Sequence, residues 1–306
     1  MRLARNWRLA CAIMLGALLS AAPAEAADLV VRAADRFIVP VIVNGHLVRL
    51  RVDPEAPDYV VVNPAVARRI KLRPTLLGGV YALVGPVSLD GNSKEAALSH
   101  EGRSIRKRFA WLDQDVVQDA DGLISPAALP YERVIFDLQP ERPAEVTSSF
   151  AMTYSTEYGL LFPMRIGAQS VQFQFSTQKP RSMATAAAGA HIAEAYSGAW
   201  AGEAVSQLIE YGVHRPVRPL ALQRPLVLER LPLRNFLVRT SDNLGNRSLP
   251  SEPSTDPREI VVTGARTRQK AVYMLTLGLD VLQSCSRMVY ERLQHRMTLR
   301  CAAART

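Results

Sequence analysis

The chain has 306 residues, room for two ordinary domains, with 48% hydrophobic residues, 7% aromatics and a net charge of +9. Its basic residues are not interleaved with aromatics as a nucleic-acid groove requires, so no nucleic acid is expected; the charge reads as a basic solvated surface or as contact with anionic envelope polymers. Cys-x-x-Cys spacing and His/Cys clusters are absent, so no metal site and no cofactor are expected.

Arg2, Arg5 and Arg8 precede an apolar run, 9–22, that is short for a bilayer span, and Ala24-Glu25-Ala26 is a small-x-small cleavage site. Residues 1–26 therefore read as a secretory signal peptide, which implies the periplasm and leaves no transmembrane segment after cleavage; an uncleaved anchor is the alternative.

PVIVNGHLVRLRVDPEAP, residues 40–57, reads as a β-hairpin turning at Asn44-Gly45, with Asp53 at the tip of its second strand. A helix is expected in NPAVARRI, 63–70, where Pro64 suits the first helical position. DGLISPAALPYERVIFDL, 121–138, reads as strand, helical turn and strand, and PERPAEVTSS, 140–149, has linker composition.

A second hairpin, PMRIGAQSVQFQFSTQKP, follows at 163–180, with an alanine-rich helical stretch at 186–193. Like 40–57 it begins and ends on proline, and the offset between the two is 123 residues throughout. LTLGLDVLQSCSRMVYER, 275–292, matches 121–138 at an offset of about 153 with a residue of slack, so the second unit carries about 30 extra residues. These are placed in a polar, proline-containing insertion, 240–270. The pattern predicts two β-lobes, 29–146 and 150–302. Cys285 and Cys301 flank two strand-like runs around a polar centre at 293, which sets them opposite each other in a hairpin and favours a disulfide.

In this order, twice over, these segments resemble the retropepsin-like aspartic proteases, in the exported bacterial form with two lobes in one chain. The resemblance rests on FIVPVIVNGHLVRLRVD with NPAVARRIKL, on ADGLISPAALP and on LGLDVL. It implies a mainly β, pepsin-like bilobal architecture with short helices. It also implies that the 78–86 loop, with Tyr81, covers the cleft as a flap.

In that family two aspartates, one per lobe, share a proton, since like charges so close cannot both ionise. One activates water and the other polarises the scissile carbonyl. The neighbouring Thr or Ser hydroxyl braces the loops, and a glycine permits close approach. Here the first motif reads Asp53-Pro54-Glu55, and the second reads Ser176-Thr177-Gln178, with serine in the place of the second acid. Ser125 replaces the glycine that Gly278 keeps.

The resemblance thus implies a peptidase fold with impaired chemistry, binding an extended peptide or protein segment in the cleft beside Glu55, Thr177, Gln178 and Tyr81. The alternative is an active aspartic endopeptidase using Asp53 with a partner such as Glu55. The plain alternative for Asp53 alone is a strand-end carboxylate capping nearby backbone N–H groups. Separately, REIVVTGARTR, 258–268, resembles a TonB box; Glu259, Ile260, Val261, Val262 and Thr263 would then add to the sheet edge of a TonB-type partner.

Overall fold

The computed structural model describes residues 28–242 and 271–303. The signal-like segment and the TonB-box-like segment lie outside the described residues. The fold is mainly β, with short helices.

The hairpin Ile38–Val43 and His46–Val52 turns through Asn44 and Gly45, both at positive φ (50° and 78°), the geometry that matches the natural twist of two paired strands. Val41, Val43, Val48, Leu50 and Val52 alternate inward and are buried. Val52 ends the strand, and Asp53 follows it. The hairpin opens a seven-stranded sheet whose order continues Gly122–Ile124, Val60–Val62, Arg103–Leu112, Val87–His100, Gly79–Val84.

Gly159–Ile166 and Gln169–Phe175 form the corresponding hairpin of a nine-stranded sheet. From there the order runs Met274–Leu277, Met183–Ala184, Leu231–Arg239, Val213–Leu228, with Val205–Glu210 also paired to the last of these. The two sheets share one succession of strands and one set of senses. His46–Val52 runs parallel to Gly122–Ile124, and Gln169–Phe175 runs parallel to Met274–Leu277. Gly159 carries the chain beneath the first tip. It takes φ +71°, and an added Cβ would lie 2.4 Å from the Ala56 carbonyl oxygen, so only glycine fits there.

A third sheet has the order Asp28–Arg32, Arg133–Asp137, Cys285–Glu291, Arg296–Ala302, Glu145–Ala151. It therefore draws strands from both halves. Glu145–Ala151 overlaps the stretch that composition marks as a linker. Ser148 and Phe150 turn inward on alternate positions, and pairing with Arg296–Ala302 makes a strand of a polar sequence. Phe150, Phe162, Phe173 and Phe175 pack in contact at the join, with ring centroids 4.5 to 5.5 Å apart.

Cys285 and Cys301 face each other in the ladder of the C-terminal hairpin, are buried, and are disulfide-bonded. Reducing this bond is expected to cost about 3 kcal/mol, since it closes a loop of 16 residues. Paired thermal melts with and without reductant check this, and coincident melts would contradict it.

Pro64–Arg69 is the first helix, with proline at its start as expected. Asn63 does not cap it. Its side-chain oxygen accepts from the Val116 and Val117 amides, and its Nδ2 donates to the Val117 carbonyl, which pins the loop beside the candidate site.

Candidate functional site

The two strand tips meet. Asp53 N–H donates to the Ile124 carbonyl at 3.0 Å, and Ser176 N–H donates to the Leu277 carbonyl at 2.9 Å. Each tip is thus fixed to the end of the short apolar strand beside it. The Ser176 hydroxyl then donates to Asp53 Oδ2 at 3.1 Å. Its oxygen accepts from the Gln178 and Lys179 amides at 3.2 and 3.3 Å. Asp53 Oδ1 accepts from the Glu55 and Thr177 amides at 3.0 and 3.3 Å.

Asp53 and Ser176 are both 0% exposed. The hydroxyl has used its donor and both lone pairs, and both carboxyl oxygens accept. Burial pushes the Asp53 carboxyl above the ordinary carboxylate range, and the Glu55 charge pushes it further; the Glu55 amide and Lys179 oppose them. Asp53 caps backbone N–H groups from both halves, as a strand-end carboxylate does.

Thr177 is buried and its hydroxyl donates to the Val52 carbonyl at 3.0 Å, so it ties the second half to the first. The reverse tie is missing, because Pro54 has neither a hydroxyl nor an N–H. Ser125 is buried and caps the next turn by accepting from the Ala127 amide. Gly278 packs against the chain at 179–181, where an added Cβ would sit 2.6 Å from the Lys179 carbonyl oxygen.

Of the acids in the first tip, Glu55 rather than the buried Asp53 lines the groove. It pairs with Lys179, and the Gln174 amide donates to the same oxygen at 2.9 Å. Glu55 Oε2 and Gln174 Oε1 are buried and have no donor among the described residues. Each such acceptor costs about 1–3 kcal/mol when left unpaired.

Tyr81 lies in the hairpin Gly79–Val84 and Val87–His100, exposed and lining the groove, where the sequence places a flap. A second flap-like hairpin, Val205–Glu210 and Val213–Leu228, turns through Tyr211 and Gly212, at φ 48° and 78°. Sequence reading missed it, although Glu210-Tyr211-Gly212 is an admissible hairpin turn. The three prolines at 216, 219 and 225 hid the strand that follows.

The second tip is docked on the first half. Gln114 Nε2 donates to the Tyr211 carbonyl, and Ile209, Tyr211 and Val213 are buried with Ala56, Val61, Val116 and Leu123. The groove is therefore not one open channel. A cavity of about 240 Å³ lies on one side of this tip and one of about 510 Å³ on the other. Glu55, Glu210 and Tyr211 line both and form the wall between them.

Burial, then Glu55, pushes the Glu210 carboxyl up, against Lys179 and Arg239. Burial, then Glu210, pushes the Tyr211 hydroxyl well up. Tyr158, in the larger cavity, is pushed up to about 12 by burial and by Glu157. Gln178 lines the smaller cavity. Lys179, Gln174, Glu210 and Tyr211 were not foreseen as site residues.

No protein-family model matches the chain, and no curated protein matches it. Among solved structures it is similar to an EIAV protease complexed with the inhibitor HBY-793, at 19% identity, over 29% of this chain and 79% of that one, with a TM-score of 0.23. It is also similar to the retroviral protease-like domain of Ddi1 from Leishmania major, at 23% identity, over 29% of this chain and 70% of that one, with a TM-score of 0.24. At these scores neither comparison bears on the chemistry of the site, which rests on the geometry of its two tips.

Proposed function

We propose that this protein is an exported binding module of aspartic-protease-like fold, which holds an extended peptide or another envelope ligand between its halves without cutting it. One observation carries the reading: the tips join through a single carboxylate and a hydroxyl, both sealed from solvent. A peptidase of this kind needs one ionised and one protonated carboxyl around a shared water. A serine hydroxyl ionises far too high to replace the second acid, and this one has no bond left to offer a water.

A second reading keeps an endopeptidase that uses Asp53 with Glu55, and the Glu55 charge beside Asp53 favours it. Against it, one Glu55 oxygen is held by Lys179 and Gln174. Denatured casein incubated between about pH 3 and 7 separates the two. Wild type and Asp53→Asn are both expected to leave it intact. Cleavage by wild type that disappears in the variant would establish the peptidase and end the binding reading. A TonB-linked adaptor role through residues 259–263 is a further proposal, resting on their β-branched run alone.

A further inference from the structure

We infer that the larger cavity takes a primary ammonium on an alkyl stem, as a lysine side chain of a bound peptide presents it. This rests on the groove-binding reading and names its ligand class. The cavity, about 510 Å³, has the size of a small-ligand site. Among the described residues, Glu55, Glu157, Glu210 and Asp242 line it against one basic residue, Arg239. Two of these acids are already engaged: Asp242 accepts from the Ala186 and Ala187 amides at a helix start, and Glu55 Oε1 is held by Lys179 from the other compartment.

Two observations beyond the acidic lining point to a donor-bearing ligand. Gln174 is 2% exposed and lines the cavity, and its Oε1 has no donor among the described residues. Glu55 Oε2 is in the same condition, and Gln174 Nε2 lies 2.9 Å from the other oxygen of that carboxylate. With Glu210 they offer acceptors from three side chains, which suits the three N–H donors of an ammonium better than a planar guanidinium fork.

Tyr59, Tyr81 and Tyr158 line the same space and supply aromatic faces for the stem and the charge. Arg239 Nε, in that lining, is a buried donor without an acceptor among the described residues. It suits a carbonyl carried along with the amine, which favours a peptide over a free diamine.

The test is calorimetric titration of the purified protein with an N-acetylated, C-amidated alanine pentapeptide carrying a central lysine. The same peptide with norleucine and free cadaverine are the other arms. The lysine peptide is expected to bind about tenfold or more tighter than the norleucine peptide, the worth of a charge-assisted hydrogen bond. Glu210→Gln, nearly isosteric, is expected to remove about that factor for lysine and to weaken norleucine binding by much less.

Equal affinity for the two peptides would overturn the ammonium site while leaving the groove reading in place. Lysine-peptide binding that ignores both Glu210→Gln and Gln174→Leu would put the site elsewhere and overturn it as well. Cadaverine binding as tightly as the lysine peptide, and weakened by Glu210→Gln, upholds the site and assigns a free amine as its source. Binding by none of the three overturns the site and, with it, the peptide form of the groove reading.

Discussion

Replacing Asp53 by alanine is expected to cost about 3 kcal/mol of folding stability, read as a shift in the urea midpoint. The carboxyl accepts the Ser176 hydroxyl and the Glu55 and Thr177 amides, and two of those three donors come from the other half of the chain. Truncation leaves them buried without an acceptor. Asp53→Asn keeps one acceptor and the volume, so it is expected to cost less.

The two variants also separate charge from shape. Because burial and Glu55 raise the Asp53 carboxyl, the folded state binds its proton more tightly than the unfolded chain does. That contribution is complete below the ordinary value of 3.8 and is lost as pH rises through the raised folded value. Glu210, raised by burial, acts in the same sense. Asp28, lowered by its hydrogen bond to Arg133, loses its contribution only as pH falls below its ordinary 3.8. As pH rises above 3.8 and through the raised folded value, wild type is therefore expected to lose stability, and Asp53→Asn to lose less of it. Parallel melting profiles for the two proteins would mean that Asp53 ionises in the folded state without penalty.

Lys179→Met is expected to be at least as damaging, by about 3–5 kcal/mol. The lysine and glutamate side chains of this pair are 9% and 13% exposed, so the substitution leaves a withdrawn carboxylate without its counter-ion. Adding Glu55→Leu is expected to recover most of the loss, because two apolar groups need no mutual compensation. A double-mutant cycle in urea checks both statements. If the double variant is as weak as the single one, packing of the lysine stem, rather than its charge, holds the site together.

What local pattern could tell was told by local pattern. The hairpin at 40–57 follows from inward valines and leucines on alternate positions and from Asn44-Gly45, all within one short window. The disulfide followed from the midpoint of its hairpin. The Glu55–Lys179 pair had no such signal: its members are 124 residues apart, and only closure of the two halves makes them neighbours. The strand Glu145–Ala151 escaped for a related reason, since its partner, Arg296–Ala302, lies far along the chain. Thr177 and Gln178 illustrate the middle case. Their position at the tip was readable, but the direction of the Thr177 hydroxyl, toward Val52, depends on the opposite half.

The shared five-stranded sheet has a consequence for biosynthesis. Its central strand, Cys285–Glu291, lies between Arg133–Asp137 and Arg296–Ala302, and is translated long after the first of these. The nascent first half cannot complete this sheet, so Arg133–Asp137 keeps an open hydrogen-bonding edge until the carboxyl-terminal hairpin emerges. Pairing over such sequence distances is slow, so loss of the Cys285–Ala302 hairpin is expected to lead to aggregation rather than to a smaller soluble fragment.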